Sequence, residues 1–375
     1  MMGTSDGSVG ETHKIVDHGS DSDRWTMVLV AEGYQAGQLD QFHTGAESFM
    51  ESLFSTPPFH LLRAAVNAYR IDVSSTDSGA DDPAACGGTG ATARTFFDAS
   101  FCNNGIRRLL EVNTTAVVDV VNAHVAQWNM IIVLVNSPVY GGSGGPVAVY
   151  SMASGAIEIG LHEMGHTAFG LADEYPCYKG CGIDTDRNTH PAVEPSEPNV
   201  TTDSNRSTIK WGDLIAAGTP VPTTKNADCT MCDPQANPLP DSTVGAYEGA
   251  HWYHCGAYRA QFTCRMRTLG NPFCTVCQRV ITRTLTPHLP SSIPVPDLTR
   301  PGARIPKVAH ALLIQAGLKF TDSGPLEITQ DGQILRGSVV GQQPAAGTLV
   351  QVGSVVALEI GDYKVPGPIS LGHPH

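Results

Sequence analysis

The sequence predicts an α/β layered domain whose second half is loop-rich and held by cysteines, followed by a small, separate α+β domain. Three observations predict it. Residues 24–134 alternate strand-like and helix-like apolar patterns, the mark of stacked α and β layers. Eight of the ten cysteines fall between Cys177 and Cys277, where periodicity is weakest and turn residues are most frequent. The Pro-rich run TPHLPSSIPVP, starting at Thr286, then reads as a semi-rigid linker.

Trp25 to Ala31 (WTMVLVA) reads as a buried strand. Leu39, Phe42, Ala46, Phe49, Met50 and Leu53 mark one helix face, which ends before Pro57 and Pro58. Tyr69, Ile71 and Val73 alternate as a second strand, followed by the polar loop TDSGADDP and the first two cysteines. Two helical stretches are expected, Ile106 to Glu111 and Thr115 to Trp128, and then a fully buried strand over Asn129 to Val135. Glycines interrupt at Gly141 to Gly145, and Pro146 to Ser151 is extended. Ser154 stands where an N-cap would open a helix running through Gly170. Beyond Tyr175 the chain is rich in Pro, Asn, Asp, Gly and Cys until a final helix over Cys274 to Leu285. These breaks give a first domain over 1–286, a linker over 287–294, a second domain over 295–362 and a tail over 363–375.

Composition bounds what the chain does. It has 375 residues, 41% of them hydrophobic and 16% charged, enough apolar material for a sizeable core. The longest apolar run, around Ile131 to Val135, is far below the roughly 18 residues of a membrane span. A net charge of −13 argues against nucleic acid or an anionic membrane as partner, since both require clustered Lys and Arg. Ten cysteines in close pairs point to disulfides in an oxidising compartment, hence to secretion. The N-terminal MMGTSDGSVG shows neither the charged n-region nor the apolar h-region of a signal peptide. A competing use of the cysteines is a structural zinc held by the C-x-x-C pairs Cys229/Cys232 and Cys274/Cys277.

The chemistry-bearing motif is His162-Glu163-Met164-Gly165-His166. Residues four apart share a helix face, so both imidazoles reach one zinc ion, and Glu163 stands beside them to hold and deprotonate a water. Zinc polarises a peptide carbonyl and acidifies the water, while the Glu accepts the proton and passes it to the leaving amine. Gly165 costs helix stability about 1 kcal/mol relative to Ala, which a close approach there would explain. Gly170 is a natural C-cap, after which the chain turns back towards the metal. A third protein ligand is required, and the His expected at 172 in one known pattern is Ala. The acidic residues just beyond it, Asp173 with Glu174 as the alternative, take its place.

The strings HEMGHTAFGLADEY, VLVAEGY, TDSGADDP, MIIVLVN and GAYRAQFTCRMR together resemble the secreted bacterial IgA-peptidase family of zinc metallopeptidases, over most of residues 14–285. The resemblance implies a zincin fold, with an α/β upper part ending in the active-site helix and an irregular lower part. It implies His162, His166 and Asp173 as metal ligands, Glu163 as general base and a protein or peptide as substrate. Met266 looks like the methionine lying under the zinc in such enzymes. Tyr258 is the candidate for stabilising the oxyanion, with Tyr247, Tyr253 and Tyr175 as rivals, and Ala260 stands where the family pattern has Pro. By the same likeness, the strand over Val147 to Ser151 borders the cleft and pairs with substrate backbone.

Residues 295–360 resemble a PASTA domain, through VPDL at 295, VAHALLIQAGLKF from 308 and GSVVGQQPAAGTLVQVGSVVALEI from 337. That resemblance implies peptidoglycan fragments as ligand and a cell-wall association, or a plain spacer. Two rival functions are weighed. Gly141-Gly142-Ser143-Gly144-Gly145 matches the G-x-S-x-G elbow of serine hydrolases, but that elbow must lead into a helix and this one leads into an extended run. A non-enzymatic cell-wall protein with a structural metal site would have no use for Glu163. Asp77, Asp81, Asp82, Asp184 and Asp186 offer oxygen ligands for Ca2+, without a complete EF-hand spacing. The sequons at Asn113, Asn199 and Asn205 carry little weight for a bacterial source.

Overall fold

A computed structural model describes residues 6–181, 184, 186–232, 236–324, 327–330 and 333–361; the tail expected over 363–375 lies outside them. The described chain divides into two units. One ends at His288, and the second begins at Leu289 and also takes in His60–Ala64.

In chain order the first unit contains β1 (Gly7–Val16), β2 (Trp25–Glu32), α1 (Leu39–Ser55), β3 (Val66–Ser75), α3 (Thr114–His124), β4 (Met130–Val135), β5 (Gly142–Ser143), β6 (Ala148–Ser151) and α4 (Ala156–Phe169), while the single turn α2 (Phe59–Leu62), between α1 and β3 in the chain, falls mostly in the segment grouped with the second unit. Then come β7 (Val200–Thr201), β8 (Tyr247–Ala250), β9 (Tyr253–Arg259) and α5 (Thr275–Leu285). Six strands form one sheet in the order β1-β3-β2-β4-β6-β5, with β3, β2, β4 and β6 parallel and an antiparallel strand at each end. Every residue of β2 and β4 is buried, as central parallel strands covered on both faces require. Phe42, Phe49 and Leu53 bring the apolar face of α1 into this core.

Two expectations are corrected here, and one strand is not anticipated. β1 is not foreseen, because its half-exposed pattern of small and polar residues pairs only along one edge of β3. Ile106 to Glu111 is not a helix. Its backbone is held by other partners, since Gly142 N–H donates to Arg108 O and Leu110 N–H to Gly142 O. The helix at α3 begins at Thr114 because the Asn113 side chain caps it, accepting from Ala116 N–H.

Disulfides join Cys86 to Cys102, Cys181 to Cys232, and Cys229 to Cys255. The pair Cys229/Cys232 therefore does not share a zinc; each is tied to a different distant cysteine. Among the described residues no helix is long and apolar enough to cross a membrane. Both facts fit an extracellular protein.

The second unit has β10 (Ile293–Pro294), α6 (Pro306–Gln315), β11 (Lys319–Ser323), β12 (Glu327–Gln330), β13 (Gln333–Arg336), β14 (Ser338–Gln343), β15 (Leu349–Val350) and β16 (Val355–Gly361). Pro306 sits in the first turn of α6, where its missing N–H costs nothing. A three-stranded sheet, β11-β16-β14, packs Val356 and Leu358 against Ala309 and Leu313 of α6.

Candidate active site

The first ligand candidates stand on α4. This helix opens at Gly155 rather than Ser154 and closes at Gly170, whose φ of 59° is the left-handed conformation that favours glycine. The Gly170 and Leu171 N–H groups turn back onto His166 O and Gly165 O, which redirects the chain under the helix. Met266 lies fully buried against that helix. A Cβ at Gly165 would sit 2.6 Å from its Sδ, which is why the helix carries glycine there.

Three side chains converge. His162 Nε2 and His166 Nε2 lie 3.2 Å apart, and Asp173 Oδ1 lies 3.0 and 3.2 Å from them. Each His Nδ1 faces a backbone carbonyl, Arg265 O at 3.1 Å for His162 and Leu171 O at 2.6 Å for His166. A carbonyl only accepts, so both Nδ1 atoms carry the proton and both Nε2 atoms present lone pairs. Three acceptors thus point at one spot, an arrangement that suits a cation between them. Without a metal, a proton takes that role: burial alone would lower the His166 pKa, but Asp173 overrides it and lifts the value to about 9. Burial would raise Asp173, and the imidazoles instead hold it well below the carboxylate range.

Asp173 itself is fixed from the irregular half. Its Oδ2 accepts from Tyr175 Oη at 2.8 Å and from Trp252 Nε1 at 2.8 Å, and its carbonyl accepts from His251 N–H. His251 and Trp252 form the tip of the β8–β9 hairpin with φ of 54° and 68°, strained values for non-glycine residues at a site that needs them. Asn199, fully buried, clamps the preceding residue by accepting from Ala172 N–H at 2.8 Å and donating to Ala172 O at 2.9 Å. Its buried amide is part of the architecture and offers no glycan site. Glu174 points the other way, taking a bond from Asn199 Nδ2 at 2.9 Å and facing the sulfurs of Cys274 and Cys277.

Glu163 borders a 230 Å³ cavity lined by His162, Arg108, Tyr140, Tyr175, Arg265 and others, and an adjoining one of 330 Å³ that also reaches His166 and Asp173. Burial raises the Glu163 pKa, against the pull of the two imidazoles. Arg108 donates to Tyr175 Oη at 3.5 Å and to Tyr178 O at 3.1 Å, placing a guanidinium on the cavity wall. Sequence reading missed Arg108, Asn199 and Trp252, because nothing local marks a residue whose partner lies far along the chain.

Tyr258 is not brought to this group. It lies on β9 opposite Thr201 and Glu248, its hydroxyl engages Glu248 and Ser204, and neither cavity includes it. The rival Tyr175 lines both cavities. The strand over Val147 to Ser151 offers no free edge either: β4 pairs with one side of β6, β5 pairs with the other, and Arg108 and Leu110 close the far side of Gly142. Ser143 is no nucleophile elbow. Its hydroxyl donates to Leu110 O at 2.5 Å, and β5 leads into β6 rather than a helix.

Four of the five carboxylates considered for calcium, all but Asp186, are engaged within the protein. Asp77 pairs with Arg94, Asp81 accepts from Ala93 N–H, Asp82 accepts from Thr89, and Asp184 accepts from the amides of Tyr178, Lys179 and Gly180. Among the described residues the clusters of possible metal ligands contain none of them: they are His162/His166/Asp173, Glu174/Cys264/Cys274/Cys277 and Cys177/Cys181/Cys232, and in the last of these Cys181 and Cys232 are already spent in a disulfide.

Comparison with curated proteins finds no match. The family model described as IgA Peptidase M64 matches residues 14–235 and 234–285, which include the whole of α4, Asp173 and the Met266 turn. The chain therefore belongs to the IgA peptidase M64 family of metallopeptidases.

Proposed function

We propose that this protein is a zinc-dependent endopeptidase in which His162, His166 and Asp173 hold the ion and Glu163 is the general base. The observation that carries this reading is the convergence of three lone-pair donors at 3.0–3.2 Å with both Nδ1 protons engaged elsewhere. Two imidazoles and one carboxylate leave a fourth position open, the composition of a catalytic rather than a structural zinc site. Zinc there would polarise the peptide carbonyl and lower the pKa of a water towards neutrality. Glu163 takes the proton of the attacking water and returns it to the departing amine, and its raised pKa suits a group that must do both. Asp173 is oriented by Tyr175 and Trp252, which keeps the ligand set rigid when substrate enters. Arg108 is the donor placed to meet negative charge on the substrate oxygen: it lines both cavities, the one Tyr175 hydroxyl proton is given to Asp173, and neither cavity includes Tyr258.

The disulfides support a secreted protein. We read the second unit as a PASTA-like module, one helix over a three-stranded sheet, that binds peptidoglycan fragments or serves as a spacer. The presence of Glu163 beside the ligands disfavours a non-enzymatic metal protein. The test is cleavage of a denatured protein substrate: phenanthroline abolishes it and a serine reagent leaves it intact. Glu163→Gln retains zinc while kcat/KM falls about 10²–10⁴-fold, the usual worth of a general base. A Glu163→Gln enzyme with normal activity overturns the mechanism.

A further inference from the structure

We propose that Cys264, Cys274, Cys277 and Glu174 form a second metal site, one that binds a thiophilic divalent cation, zinc foremost, and has a structural role. The four ligand atoms lie within 4.8 Å of one another, and all four residues are buried. The Cys274 and Cys277 sulfurs are 3.4 Å apart and the Cys264 and Cys277 sulfurs 3.8 Å, while Glu174 Oε1 lies 3.8 and 3.4 Å from Cys274 and Cys277. A tetrahedral zinc with bonds of about 2.3 Å to sulfur and 2.0–2.2 Å to oxygen sets such edges at about 3.8 and 3.5 Å. The separations also exceed the roughly 2.05 Å of a disulfide. Three thiols cannot all pair among themselves, and the remaining free cysteine, Cys177, belongs to a different group with Cys181 and Cys232.

A second, independent observation points to an occupant. Glu174 Oε2 is buried with no hydrogen-bond partner, and only Asn199 Nδ2 among amide donors reaches Oε1. A carboxylate fully removed from water and left half satisfied is costly, and a cation among the sulfurs removes that cost. The local backbone is arranged for thiolates: Cys264 Sγ accepts from Cys274 N–H at 3.2 Å and Cys274 Sγ from Cys277 N–H at 3.5 Å, at the N-terminus of the 11-residue α5. Softness of three sulfurs selects zinc, cobalt or cadmium over magnesium or calcium.

The site ties together three segments that meet nowhere else in sequence. Glu174 follows Asp173, Cys264 precedes Met266 by two residues, and Cys274 opens α5. The cation would fasten the floor of the active site and is independent of the one bound by the imidazoles.

The test is metal content and spectroscopy of the full chain. Wild type carries about two zinc ions per chain, and its cobalt-substituted form shows sulfur-to-cobalt charge-transfer absorption that an imidazole–carboxylate site cannot give. His162→Ala/His166→Ala keeps one ion and the absorption; Cys264→Ser/Cys277→Ser loses both one ion and the absorption. Under denaturing conditions with chelator, thiol titration finds the four free cysteines. The wild-type spectrum decides without any variant: absence of thiolate absorption overturns the proposal, as does a thiol count lowered by oxidation among the three cysteines. Failure of the catalytic reading has a separate signature, an unchanged metal content in His162→Ala/His166→Ala.

Discussion

The sheet half and the irregular half of the first unit reach order by different physics. In β2 and β4 every side chain is excluded from water, and apolar burial does the stabilising. Between α4 and α5 the regular structure among the described residues amounts to three short strands and one turn of 3-10 helix. There, polar side chains gather backbone carbonyls instead: Lys210 Nζ donates to Pro195, Glu197 and Val200, and Arg259 to Glu248 and Gly249. Two disulfides close this half, Cys181–Cys232 and Cys229–Cys255. The proposed active site straddles the two regimes. Its imidazoles and Glu163 stand on the apolar half, and Asp173 is delivered by the cross-linked half.

Substitutions separate the two regimes. The largest loss of stability is expected in the sheet: Leu29→Ala, fully buried at the centre of β2, should cost about 2–5 kcal/mol in urea unfolding. A loss below 1 kcal/mol would mean that the sheet is not the stabilising half. Next comes a pH effect confined to the same half. Glu32 is fully buried, accepts from Phe97 and Ala99 N–H, and burial raises its pKa to about 7. The fold favours the protonated acid, so this contribution is full below the unfolded value near 4.5 and disappears as pH rises through 7. Wild type should lose on the order of 3 kcal/mol relative to Glu32→Gln between pH 4 and pH 8. Parallel pH curves for the two proteins would contradict it.

In the irregular half, Cys229→Ala/Cys255→Ala should cost about 2–4 kcal/mol, since the bond closes a loop across 26 residues of low periodicity. Limited proteolysis should then cut this half while the sheet core persists. The smallest effect sharpens the boundary itself. Asn199→Ala should weaken metal affinity about 10–100-fold and lower unfolding stability by only about 1–3 kcal/mol, because Asn199 fixes the Ala172–Glu174 backbone and its loss leaves the buried Ala172 N–H and C=O unpaired. Competition with a chromophoric chelator measures it.

The same division explains what the sequence revealed. β2, α1, β3, β4, α4 and α5 were legible because burial imposes a period on their residues, and the two imidazoles because a helix makes neighbours of positions four apart. Ile106, Leu109 and Leu110 imitated a helix face but serve a loop that bonds to Gly142. β1 had too little apolar pattern to declare itself. In the irregular half the partners are set by tertiary pairing, so Cys229 and Cys232 look like one unit in sequence and part company in space. Tyr258 shows the same limit: a Tyr-Arg pair is a local feature, while proximity to Glu163 is not.

Asp173 and Glu174 are consecutive residues whose side chains serve opposite neighbourhoods, one the imidazoles and the other the buried thiols. The stretch from Gly170 to Tyr175 is thereby intolerant of slippage. Adding or deleting a single residue would turn each carboxylate to the wrong side and unmake both groups at once, whereas the surface loops farther along have no such metric to keep. Length variation among related chains should accordingly stop at this six-residue ruler.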